Sequence, residues 1–233
     1  MILGGHSGPG GSAGSRLAAG TLVLGVLVGV LVGGLAGGLP GLAGLQPGSL
    51  EAGAPESVRG VFLDGGHLFR DGPPARVTGG FGEDSCYACH WNGPENDGVG
   101  TLEIGGLPEV WEPGREYELE VTLFRPGMVV GGFQLATRFA ADEEQAGTLA
   151  PAGGEDQRVG VLEDGGVQFA HHLLAGIELT GEDTVRWTMV WTAPSEAGGS
   201  VVIHLSSVAG DGDESQIGDH VYTAELEIAG PEG

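Results

Sequence analysis

Lysine is absent from the 233 residues; all nine basic side chains are arginine. They stand against 32 aspartates and glutamates, for a formal charge of −23. A chain with that balance repels phosphate backbones, which excludes nucleic acid as a partner. Cysteine is scarce too: there are two, and neither directly follows the N-terminal apolar run, which excludes a lipoprotein anchor. Strong helix formers are diluted by 48 Gly and 13 Pro, which argues against a helical bundle. Glycine has no triplet period, so the chain is not collagen-like. No G-x-S-x-G elbow, P-loop or H-E-x-x-H is present, and no carboxylate pair can be assigned to acid–base work. A carrier or binding module is expected rather than an enzyme.

Charge is also missing from one stretch of the chain. Residues 1–50 contain Arg16 as their one charged side chain, and 17–45 form an uncharged run rich in Leu, Val, Ala and Gly. About 20 such residues cross a bilayer as a helix. Arg16 precedes the run and the acidic body follows it, so the N-terminus is expected in the cytoplasm and the body outside. The bland alternative is a buried core helix. Ala52-Gly53-Ala54 has the form of a cleavage site, although Pro55 follows it and the length of the run favours an uncleaved anchor. The expected organisation is a signal or signal-anchor segment at 1–46, a flexible tether at 47–58, a motif segment at 59–98 and a β-sandwich at 99–229. The body belongs in the cell envelope, tethered to the membrane, or secreted if the segment is cleaved.

What is present in the body is alternation. Tyr117, Leu119, Val121 and Leu123 alternate with Glu116, Glu118, Glu120 and Thr122, the period of a strand with one wet face. The same reading predicts strands at Thr101–Ile104, Gly132–Phe139, Val167–His171, Thr184–Thr192, Val201–Ser207 and Val221–Ile228. Turn signals lie between them, including Glu112-Pro113-Gly114, Arg125-Pro126-Gly127 and Ala193-Pro194-Ser195. About seven short strands without amphipathic helices predict an all-β, immunoglobulin-like antiparallel sandwich. A single antiparallel barrel is the runner-up.

The sharpest motif is Cys86-Tyr87-Ala88-Cys89-His90, the C-x-x-C-H pattern of c-type haem attachment. Two thiols add across the porphyrin vinyl groups, and the adjacent imidazole becomes an axial ligand of the iron. On this reading Cys86 and Cys89 hold one haem c as thioethers and His90 binds the iron. A local disulfide also suits an exported chain but gives the His no role. A zinc site lacks a second Cys/His pair, and a thioredoxin-like redox pair lacks its βαβ setting.

Gly72-Pro73-Pro74, Thr78-Gly79-Gly80-Phe81-Gly82-Glu83 and Cys86 to His90 together resemble the start of bacterial reelin-like (Reeler-type) domains. The resemblance continues in Glu112 to Tyr117, Gly132-Phe133-Gln134-Leu135, Trp191-Thr192-Ala193-Pro194 and Gly218 to Thr223. Phe81 departs from it, since many relatives have Pro there. The resemblance implies a secreted or envelope-anchored β-sandwich that begins with a C-x-x-C-H segment, and it implies little about activity. It also places a His at a strand end before a Gly-containing loop, which singles out His171 as the second axial ligand. His67, Met128, His172, Met189, His204 and His220 are the other candidates. Asp211-Gly212-Asp213-Glu214 is read as a solvated acidic loop rather than a calcium site.

The leading expectation is therefore a membrane-tethered monohaem c-type cytochrome passing electrons to a redox partner protein. The alternative is an extracytoplasmic binding or adhesion sandwich that meets an envelope component and uses its cysteines as a structural disulfide.

Overall fold

Alternating side chains build the first long strand as the sequence dictates. In β1 (Thr101–Gly105) and β2 (Glu116–Phe124) the pattern is one-sided: Tyr117, Leu119, Val121 and Leu123 are buried while Glu116, Glu118 and Glu120 are exposed. A computed structural model describes residues 69–231. The expected N-terminal segment, the tether at 47–58 and His67 lie outside the described residues. Among the described residues, no helix is long and apolar enough to cross a membrane.

The remaining strands are β3 (Val130–Phe139), β4 (Thr148–Pro151), β5 (Val159–Asp164), β6 (Val167–His172), β7 (Thr184–Thr192), β8 (Val201–Gly210) and β9 (His220–Ile228). They form two antiparallel sheets with the orders β1-β2-β7-β4 and β5-β6-β3-β8-β9. The inner faces share one core. Leu119, Val121, Trp187 and Met189 of the smaller sheet meet Phe133, Leu135, Ile203 and Leu205 of the larger, all fully out of water. The Phe133 and Trp187 rings lie 4.6 Å apart between centroids. Trp187 and Trp191 donate their indole N–H groups to the Gly176 and Ala146 carbonyls at 2.7 and 2.9 Å. Each large ring is thus buried without an orphaned donor.

β4 and β5 have no counterpart in the sequence reading. β4 is four residues long and ends in proline, and β5 carries Gly160, so neither shows a run of alternation. β5 returns into β6 through Gly165-Gly166, both at positive φ, which is the backbone a two-residue hairpin turn requires.

The larger departure concerns the outer face of the five-stranded sheet. Gln134, Ala136 and Arg138 of β3 and His204 and Ser206 of β8 are all buried. Residues 69–98 lie across them. Val77 donates its N–H to Gln134 at 2.8 Å, and Gln134 returns a bond to the Pro74 carbonyl at 2.7 Å. Gly80 sits directly on His204, where an added Cβ would come within 2.1 Å of the ring. The segment carrying the Cys-x-x-Cys-His motif is therefore a cover on the sheet, and the central strands β3 and β8 are dry on both faces.

Candidate functional site

The motif forms a short 3-10 turn, Cys86–Ala88, capped by Ser85, whose hydroxyl accepts the Tyr87 N–H at 3.1 Å. The Cys86 carbonyl accepts N–H groups from Cys89 at 3.2 Å and His90 at 2.9 Å. Cys86 is fixed to the sheet below, its N–H donating to Ser206 Oγ at 3.0 Å. Burial pushes its thiol up to about 11, with Ser206 pulling weakly the other way. Cys89 is half-buried, and both cysteines are free thiols.

His90 is held from the far side. Its Nδ1 donates to Asp219 Oδ2 at 2.6 Å, and Asp219 is itself buried at the start of β9. The other Asp219 oxygen accepts the Asp211 N–H at 3.3 Å. Cys86, Cys89 and His90 line a cavity of about 570 Å³ between the covering segment and the sheet. Phe69, Pro73, Pro74, Val77, Val130 and Phe133 supply much of its apolar wall. Between Val130 and Phe133 on β3, Gly132 leaves room for the His172 ring, which an added Cβ would approach to 2.8 Å.

The two adjacent histidines of β6 part company. His172 lines the cavity, with Nδ1 accepting the Phe133 N–H at 3.0 Å and Nε2 donating to the Phe69 carbonyl at 3.1 Å. Burial lowers its pKa, which matches the neutral tautomer these bonds require. His171 lies apart from the cavity wall, with its Nδ1 2.9 Å from the His172 carbonyl and Gly72 and Gly160 packed against its ring.

These positions overturn the electron-carrier expectation. The bis-histidine haem expected from His90 and His171 needs the two imidazoles to face one another across one space. His90 borders the cavity, but the expected partner His171 does not, and the nitrogens of His172 are spent on backbone groups. Among the described residues no group of three or more His, Cys, Asp or Glu side chains is placed to hold a metal ion. Met189 is core, Met128 is buried under the β2–β3 turn, and His204 pairs with Glu225 at 3.0 Å. The residues present do not fit the monohaem cytochrome, and a sandwich binding module accounts for them better.

Sequence reading missed Ser206, Asp219 and the role of Gly132 in β3. Asp219 stands in the Gly218 to Thr223 stretch that carried the family resemblance, but nothing in one dimension pairs it with His90, 129 residues away. A second anchor was equally hidden. Asp97 accepts from Arg125 at 2.7 Å and from the Tyr222 hydroxyl at 3.0 Å, which ties the end of the cover to the sandwich.

The described residues thus form an all-β sandwich with one outer sheet face covered by residues 69–98. It is similar to a human F-spondin reeler domain, with 19% identity over 58% of this chain and 92% of that one and a TM-score of 0.39. It is also similar to a cohesin module of a family 33 glycoside hydrolase from Clostridium perfringens, at 16% identity over 56% and 96% with a TM-score of 0.39. A chain of a type I cohesin–dockerin complex from Clostridium thermocellum matches at 15% identity over 53% and 97%, with a TM-score of 0.34. No family model matches the chain, and no curated protein matches it.

Proposed function

We propose that this protein is an extracytoplasmic binding module of immunoglobulin-like sandwich type, held at the membrane by its N-terminal segment. Its ligand site is the space under the covering segment, and the Cys pair clasps that segment's turn. The observation that carries the reading is the cavity itself. At about 570 Å³ it falls within the usual range for small-molecule sites, and its wall is mainly apolar with a few convergent polar groups. The strong acidity of the chain fits an envelope protein that stays dispersed in an ionic medium.

The test is titration of the purified full chain with Nile red, a neutral apolar dye that brightens out of water. The wild type should show saturable enhancement. Gly132→Leu should abolish it, since even a Cβ there would stand 2.8 Å from the His172 ring. Val129→Glu should weaken it without disturbing the core, because Val129 borders the cavity and is 54% exposed. Equal enhancement in all three proteins would refute the assignment of the site.

A further inference from the structure

Three features of the cavity constrain what it holds. Its wall is largely apolar, so most of the ligand must be apolar as well. Its polar rim includes Glu214 and Asp219 in a chain of formal charge −23, which disfavours an anion. Its two imidazoles are not equivalent. His172 has both ring nitrogens engaged by the backbone. His90 has Nδ1 committed to Asp219 at 2.6 Å, and its Nε2 makes no hydrogen bond among the described residues.

A carboxylate only accepts, so the Asp219 contact fixes the proton of the neutral His90 ring on Nδ1. Nε2 is then an acceptor. Of the two imidazoles on the wall, only His90 keeps a ring nitrogen open to accept among the described residues, which selects a ligand with a matching donor.

We infer that the cavity binds a neutral, mostly apolar hydroxyaromatic molecule whose O–H donates to His90 Nε2. This rests on the binding-module reading and names its ligand class. Asp219 acts as a positioning residue: it never meets the ligand but decides which way the hydrogen bond runs. The His90 side chain is 29% exposed in the free protein, so a bound analogue without the hydroxyl hydrogen takes Nε2 out of water without pairing it, which is the costly half of a lost hydrogen bond.

The experiment compares 2-naphthol with 2-methoxynaphthalene, which has the same rings but no O–H, by titrating each into the full-length protein. The wild type should prefer the naphthol by about tenfold, the worth of one buried hydrogen bond. In His90→Phe the ratio of the two affinities should fall to about one. In Asp219→Asn the amide donates to Nδ1, which moves the ring proton to Nε2 and turns that atom into a donor. The ratio should then reverse in favour of the ether, whose oxygen can only accept. A merely structural role for Asp219 would weaken both ligands alike and leave the ratio unchanged. Equal wild-type affinities for the two probes would overturn the inference while leaving the cavity a binding site. Failure of both probes to bind, with Nile red also excluded, would overturn the binding-module reading as well.

Discussion

Glu83 of the covering segment and Arg138 of β3 form an ion pair almost wholly out of water, their side chains 8% and 3% exposed. Arg138 also lies over the rings of Phe81 and Phe169, each 5.4 Å from its guanidinium carbon. Arg76 adds a second bond to Glu83 at 3.1 Å. A cation is thus buried on this sheet face beside Gln134, His204 and Ser206, and the cover brings its counter-charge.

Removing that counter-charge should be expensive. Glu83→Ala strands a buried guanidinium and should cost about 3–5 kcal/mol, read from urea denaturation. Arg70→Ala removes an ion pair with Glu214 whose side chains are 44% and 59% exposed, and should cost about 0–1 kcal/mol. Similar losses in the two variants would mean that Glu83 is not holding the cover down.

The Asp97 cluster makes the same anchorage sensitive to acid. Burial pushes the Asp97 carboxyl up, but bonds from the Val99 N–H, Arg125 and Tyr222 outweigh it and hold the group at about 2. That lies below the unfolded value near 3.9. Its contribution is therefore fully present above about pH 5 and is lost as pH falls towards 2, a loss of about 2 kcal/mol. Asp97→Asn should be less stable than wild type at pH 7, and the gap should narrow by pH 3. Denaturation midpoints across that range check it; a gap that widens in acid would contradict the assignment.

The sequence exposed the inner half of this molecule and concealed the outer half. Trp187, Met189 and Trp191 share a face in the sequence pattern and share the core in the structure, because a strand's period transmits burial directly. Arg138 and Gln134 read as the polar side of β3, and no local pattern announces that a segment some 50 residues upstream will cover them. The same limit explains the histidines. Spacing identified His90, but choosing between His171 and His172 required knowing which side of β6 the cover would enclose. The motif was visible as a pattern, but the haem chemistry read from it did not hold, because its surroundings are set by long-range contacts that periodicity does not encode.

The turn itself offers another test. Cys89 donates its N–H to the Cys86 carbonyl, so the two residues are one turn apart. Turns of that kind bring Cα atoms within about 7 Å, and disulfides span about 4.4–6.8 Å. In an oxidising compartment, such as the one the proposed function requires, the pair should close. Protein recovered from that compartment should weigh two hydrogens less than its reduced form and should resist alkylation until a reductant is added. Two thiols that alkylate without reductant would remove the clasp from the proposed function.

In the reduced protein the two thiols should behave very differently. Cys86 is sealed between the cover and Ser206, with its thiol pushed up to about 11. An ordinary cysteine lies near 8.5, so at mildly alkaline pH the Cys86 thiolate is scarcer on the order of a hundredfold. Since the thiolate is the nucleophile, iodoacetamide should modify Cys86 slower than an ordinary thiol by about that factor, and Cys89 first. Ser206→Ala removes a bond that favours the thiolate and should slow Cys86 further, whereas Glu83→Ala, by loosening the cover, should speed it. Peptide mapping after timed labelling reads both rates. Equal labelling of Cys86 and Cys89 in folded, reduced protein would mean that residues 69–98 do not seal the sheet face in solution.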